Sequence, residues 1–392
     1  MKTFRSLLKA FDGIRTPFYY YDTERLRATL QTIKESASRY GYHVHYAVKA
    51  NANPRILAII RAAGLGADCV SGGEIRAVCA AGFPTSSIVY AGVGKSDWEI
   101  DLGLDNDIAC FNVESLAEME VIDERAAAKG TTARIALRIN PNVGAHTHAN
   151  ITTGLAENKF GIALDDMVPV AREAQKMDNV ELIGLHFHIG SQILEMGDFI
   201  ALAERVNSLQ DILDDNGIWV RSINVGGGLG VDYQDPDGNP IPDFGKYFDT
   251  YHDHLRLRDG QELHFELGRS VVAQCGSLIT RTLYIKQGQK KQFAIVDAGM
   301  SDLIRPALYH AYHKIENISS DEAEEAYDVV GPICESSDVF GKQITLNKSH
   351  RGDLIAIRSA GAYGEIMASH YNCRQLPVGY TTEDITQITR SL

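Results

Sequence analysis

Between about residues 40 and 270, short apolar runs alternate with longer stretches of helical period, and this alternation most limits the folds open to the chain. Repeated strand–helix units bury their apolar faces as a parallel sheet covered by helices. The strand candidates are Val44–Ala47, Ala67–Val70, Ile88–Ala91, Ile108–Asn112, Ile135–Ile139, Leu182–Phe187, Ser222–Val225 and Leu263–Glu266. Eight such strands close a (β/α)8 barrel, which takes about 250 residues. Between them, Pro54–Ala63 carries apolar residues at helical spacing, Glu114–Lys129 is rich in helix formers, and Phe199–Asp214 repeats apolar residues every three or four positions.

After about residue 275 the rhythm changes to period two, in Ser277–Lys286, Phe293–Asp297, Gln343–Leu346 and Leu354–Ser359. A second, β-rich domain of sandwich or barrel type is expected there, which suits a chain of 392 residues. The acidic run Glu316–Asp328 reads as a solvated loop or helix face. Pro17–Tyr21 reads as an extended strand that could join either domain.

Charge removes whole classes of partner. Lys and Arg total 38 against 51 Asp and Glu, a net charge of −13, so neither nucleic acid nor an anionic membrane is an expected partner. No apolar run approaches the ~20 residues that span a bilayer, and the start lacks the apolar core of an export signal, so a soluble, cytoplasmic protein is expected. Six cysteines without a CxxC pair read as reduced thiols, not as a disulfide framework or a structural zinc site.

In a barrel of this kind, side chains at the C-terminal strand ends face the active site. That rule collects Lys49, Arg138, His188, Ser191, Gly226, Gly227, Gly228, Glu266, Gly268 and Arg269. A lysine that loses hydration at a strand end can become a free amine and condense with an aldehyde, although the same residue could simply snorkel to water. The triple glycine lets backbone N–H groups approach a phosphate; read alone it is equally a flexible turn. Glu266, at a strand end, needs a cationic partner, either a protonated pyridine nitrogen or Arg269.

Of His186 and His188, only one is expected to face the barrel mouth, and His188 is assigned there. No metal site is read from this pair, and His146, His148, His252 and His254 read as surface or structural residues. Cys334–Asp338 puts a thiol and carboxylates in a turn suited to proton transfer or amine recognition, while Cys334 alone could be a small buried hydrophobe. Arg305 offers a fork for a carboxylate.

Together these stretches resemble the fold-type III pyridoxal-phosphate-dependent decarboxylases. The resemblance runs through Thr16–Asp22, Tyr46–Asn51, Val70–Glu74, Thr153–Gly161, His186–Gln192, Gly226–Gly228, Glu266–Ser270, Asp302–Tyr309, Cys334–Ser336 and Gly361–Gly364. It implies an alanine racemase-like architecture, with residues 35–275 as the barrel and 1–34 plus 276–392 as the β domain. It also implies pyridoxal 5′-phosphate bound covalently to Lys49, with His188 stacked on the ring and Glu266 at the ring nitrogen. Ser191, Gly228, Gly268, Arg269 and Tyr363 would hold the phosphate, with Gly226 and Gly227 also in the cofactor site. Arg305 and Tyr309, with Arg269 and Tyr363, would bind an amino-acid substrate, and Glu335 its distal amine.

In the family, Cys334 and Glu335 reach the pocket of the other subunit, with Cys334 supplying a proton, which implies a homodimer with shared active sites. Arg305, Tyr309 and Glu335 favour a substrate with an amino-acid head at each end over the ornithine, arginine or carboxynorspermidine of related branches. A non-catalytic cofactor carrier would keep Lys49 and the glycines but would not need Cys334, Arg305 and Glu335. One position departs from the pattern: Leu267 stands where the family usually has proline.

Overall fold

The structure is a computed structural model that describes residues 4–144 and 159–391. Its contacts divide the chain into two units: Leu30–Gly230 with Asp243–Gly268, and Met1–Thr29 with Val231–Pro242 and Arg269–Leu392. Strand β1 (Phe18–Tyr21) belongs to the latter.

In the first unit, parallel strands close a barrel in chain order. They are β2 (His43–Ala47), β3 (Gly66–Cys69), β4 (Ile88–Tyr90), β5 (Cys110–Val113), β6 (Ala133–Arg138), β7 (Val180–His186), β8 (Ser222–Asn224) and β9 (Glu262–Leu267). All eight expected strands are present, their ends shifted by at most two residues. The seam joins β2 to β9 in the register His43↔His264, Val44↔Phe265, His45↔Glu266.

Helices start and stop on local chemistry. The Asn53 side chain accepts from the Arg55 N–H, Pro54 occupies the first turn, and Gly64 ends the helix at φ 89°. Ser115 likewise caps Leu116–Lys129 by accepting from the Glu118 N–H. The helix Phe244–His254 lays Tyr247, Phe248 and Tyr251 around Phe265, with ring centroids 4.9–5.6 Å apart, and so fixes β9 from outside.

The second unit is a mostly antiparallel sheet of β10 (Gly276–Gln287), β11 (Gln292–Val296), β12 (Ile315–Asn317), β13 (Glu324–Val330), β14 (Val339–Asn347) and β15 (Leu354–Ile357), in the order β12-β15-β10-β11-β13-β14. Strand β1 pairs antiparallel with β10 and parallel with β16 (Val378–Thr381). The acidic run corrects its expectation: it holds most of β12 and most of β13 rather than a loop or helix face. Its charges are absorbed locally, because buried Asp328 takes Lys291 and the Gln343 N–H, and Glu316 takes Arg358. Among the described residues, no helix is long and apolar enough to cross a membrane.

Candidate active site

At the C-terminal end of the barrel, Lys49 sits in a single turn, Val48–Ala50, that follows β2. Its side chain is half-buried and its Nζ donates to Asp68 Oδ2 at 2.7 Å. Asp68, on β3, is fully buried. Burial first, and then the nearby Glu266, push its carboxyl up to about 6, with Lys49 pulling the other way. The carboxylate favours the ammonium of Lys49, which opposes the desolvation expected to free the amine.

Glu266, near the end of β9, is held by side chains from three other strands of the barrel. Asn112 Nδ2 on β5 and Asn224 Nδ2 on β8 donate to its Oε1 at 3.2 and 2.9 Å, and His186 Nε2 on β7 lies 3.0 Å from its Oε2. Burial alone would raise this carboxyl; His186 and then Lys49 outweigh it and hold the group below the usual carboxylate range. Its hydrogen-bond partners are thus all barrel residues.

The two histidines correct the sequence reading. Residues two apart along extended chain share a face, so both can face the mouth: His186 ends β7 in contact with Glu266, and His188 follows two residues beyond the strand. His188 Nδ1 accepts the Gly227 N–H at 3.4 Å. Burial, reinforced by Arg138 and Lys49, lowers its pKa to about 3, so the ring is neutral at physiological pH and carries its proton on Nε2. Arg138 donates to buried Glu114 at 2.7 Å, and Glu114 also accepts the Gly161 N–H at 2.8 Å. His146 and His148 lie outside the described residues, His252 stacks on Tyr40 at 4.1 Å, and His254 is exposed.

The triple glycine is a packing requirement. A Cβ on Gly227 would lie 1.8 Å from the Glu266 carbonyl oxygen, one on Gly226 2.3 Å from the Phe187 carbonyl oxygen, and Gly228 has φ +107°. Only glycine lets the chain after β8 pass this close to the end of β9. The Gly226 N–H goes to Asn224 Oδ1 at 2.9 Å and the Gly227 N–H to His188, so the Gly228 N–H, with no side chain in front of it, is the donor of the three that suits a phosphate. Gly268 is less tight, since a Cβ there would lie 3.0 Å from Ala47 Cβ, and Ser191 is half-buried in the loop after β7.

In the other unit, two buried arginines share one phenol. Arg269 Nη1 donates to Tyr233 Oη at 2.7 Å, and the Arg305 guanidinium lies over the Tyr233 ring at 5.1 Å. Arg305 Nη1 also donates to His313 Nε2 at 2.9 Å, whose Nδ1 donates to the Arg358 carbonyl at 2.8 Å. Burial, and behind it the like charge of Arg269, lower the Arg305 pKa, so an anion placed there would relieve both. Tyr363, at φ 56°, sets its ring under the Arg269 guanidinium at 4.9 Å. Tyr309 is half-buried and ends the short helix Arg305–Tyr309.

Cys334 and Glu335 sit on an exposed turn after β13, where Tyr371 Oη donates to Glu335 at 2.6 Å. The turn is shaped from inside by Asp338, which accepts the N–H groups of Ile333 and Met300. Cys334 is therefore not the buried hydrophobe left open by the sequence.

Sequence reasoning missed Asp68, Asn112, Asn224, Tyr233 and His313. Asp68, Asn112 and Asn224 are buried polar residues on barrel strands, and a polar residue at an otherwise apolar strand position was the available signal.

An anion cradle, a strand-end lysine and a buried carboxylate at one barrel mouth define a site for an aldehyde-bearing, phosphorylated cofactor. The pyridoxal-binding domain of the pyridoxal-dependent decarboxylases matches residues 23–273. A diaminopimelate decarboxylase of Bacteroides thetaiotaomicron is 68% identical over 376 residues, covering 96% of this chain and 97% of that protein. A diaminopimelate decarboxylase of Pseudomonas aeruginosa is 43% identical, covering 94% and 88%. The solved structure of diaminopimelate decarboxylase from Helicobacter pylori with L-lysine superposes with a TM-score of 0.91 at 39% identity, over 98% of each chain. The chain belongs to the pyridoxal-dependent decarboxylases and, within them, to the diaminopimelate decarboxylases. Its cofactor is pyridoxal 5′-phosphate, and the glycine-only cradle and ionised Glu266 fit that group.

Gly227→Ala is expected to cost about 1–3 kcal/mol or more of stability by overpacking. A lowered melting temperature with loss of the visible absorbance of bound cofactor would show it, whereas a variant matching the parent in both would contradict the close approach.

Proposed function

We propose that this chain removes CO2 from the D-configured carbon of meso-2,6-diaminopimelate and releases L-lysine, the last step of lysine biosynthesis. The observation that carries the reading is the pair of buried arginines, Arg269 and Arg305, held by phenol and imidazole groups. Two such cations suit a substrate that carries a second carboxylate, which ornithine and arginine lack.

Lys49 would hold the cofactor, the glycines after β8 with Ser191 and Gly268 its phosphate, and Glu266 its ring nitrogen. Bound there, pyridoxal phosphate supplies an electron-poor ring that accepts the pair left by departing CO2. Glu266 keeps its negative charge through that step, because His186, Asn112 and Asn224 stabilise the ionised form. His188 presents a neutral ring face, so it adds no charge that would compete with Glu266. Asp68 Oδ2 is placed to take the proton that Lys49 Nζ must lose before it acts as a nucleophile.

In the same reading Arg305 with Tyr309 would take the distal carboxylate and Glu335 the distal amine. The exposed turn bearing Cys334 and Glu335 suits a head-to-tail homodimer in which Cys334 protonates the product carbon in the partner's site. Two exposed free thiols, Cys334 and Cys373, fit a reducing cytoplasm.

Incubation with meso-diaminopimelate, L,L-diaminopimelate, ornithine and arginine tests the assignment. Lysine and CO2 should form from the meso isomer alone and disappear in Lys49→Ala; CO2 from ornithine only would overturn the substrate. The Asp68 carboxyl, at about 6, is ionised above that pH and protonated below it. kcat/KM should therefore fall on the acid side near pH 6, and Asp68→Asn should remove that limb and slow turnover about a hundredfold. An unchanged acid limb in the variant would exclude Asp68 as its source.

A further inference from the structure

The opposite, N-terminal end of the barrel carries a second constellation that decarboxylation does not use. His43 opens β2, and Glu262 and His264 stand two apart at the start of β9, sharing one face. His43 and His264 are register partners across the seam, their rings stacked with centroids 4.8 Å apart and planes at 19°. They border a cavity of about 560 Å³ whose lining also includes His45, Cys110 and Arg134.

Hydrogen bonding fixes which imidazole nitrogen of His264 carries the proton. His45 Nδ1 lies 3.1 Å from the Ser87 carbonyl, which can only accept, so His45 donates there and its Nε2 is left an acceptor. His264 Nδ1, 3.0 Å from that Nε2, must then be the donor. The remaining nitrogen, His264 Nε2, presents a lone pair; it is buried without a hydrogen-bond partner and faces Glu262 Oε2 at 3.6 Å. A lone pair aimed at a carboxylate is repulsive unless a cation lies between them.

We propose that His43, Glu262 and His264 form a binding site for a divalent cation of the zinc class, which clips the first strand of the barrel to the last. One ligand atom from each lies within 4.8 Å of the others. Binding requires the exposed His43 ring to turn out of its stack on His264 and Glu262 to follow, closing that spread to the ~3.4 Å between neighbouring ligands of a tetrahedral zinc ion. Two imidazoles and a carboxylate leave a fourth position for water, and imidazole selects zinc, cobalt or nickel over magnesium or calcium. The His45–Ser87 relay orients His264 as outer-shell partners orient metal-bound histidines. Because the ion joins β2 to β9, it holds shut the seam that closes the barrel, and its effect belongs to stability.

Holoenzyme dialysed against EDTA and titrated with Co2+ tests this. The parent should bind about one Co2+ per chain, with the visible d–d absorption of a nitrogen–oxygen site and a raised melting temperature. His43→Gln and Glu262→Gln should each weaken that binding about a hundredfold. Both residues are exposed, so the variants should fold, which retained cofactor absorbance and decarboxylation will report. Parent protein that binds no more Co2+ than the double variant, or variants that keep the band and the thermal shift, would overturn the proposal.

Discussion

A carboxylate buried inside a closed barrel is stable only when the groups around it compensate for lost water, and Glu266 obtains those groups from three other strands. Asn112, His186 and Asn224 come from β5, β7 and β8, so the contact exists only once the barrel has closed. Removing one partner from such a set costs about 3–5 kcal/mol, because the charge stays behind. Fold and chemistry meet in this one residue: the bonds that make its burial tolerable also hold it ionised, which is the state a protonated pyridine nitrogen requires.

The rest of the mouth follows from the same crowding. Gly227 passes over the Glu266 peptide, where any side chain would collide, and its N–H donates to His188 Nδ1. Asp68 and Glu266 raise the cost of each other's charge across the barrel interior, and Lys49 lies between these demands, paired with Asp68. The two carboxyls end up apart, Asp68 pushed upward by burial and by Glu266, and Glu266 held down by His186 and Lys49, which separates a proton acceptor from a permanent anion.

Strand count and strand order were legible because a parallel barrel buries its strands and spaces them with amphipathic helices. Lys49, His188, Glu266 and the triple glycine were legible because they sit at strand ends within motifs. Asp68, Asn112 and Asn224 were not, since each is a lone polar residue whose partners lie far away in sequence. Tyr233 was hidden in 231–242, a short excursion that joins the β unit between two barrel segments; its Pro, Gly, Asn and Asp residues mark a loop but not the unit that the loop joins. The acidic run was misread because charge is a poor guide where alternate side chains of a strand reach solvent and the buried one, Asp328, finds a lysine. His186 was passed over by a misplaced face assignment; the same period-two rule, applied to His43-Val-His45 and Glu262-Leu-His264, marks the histidine cluster at the opposite end.

The central claim is that an ionised Glu266, and not merely a polar group of its shape, drives carbon–carbon cleavage. Turnover of meso-diaminopimelate by Glu266→Gln, in protein that still shows bound cofactor, addresses it directly. The account predicts a loss of about a hundredfold or more in kcat with the cofactor retained. Turnover equal to that of the parent would contradict it.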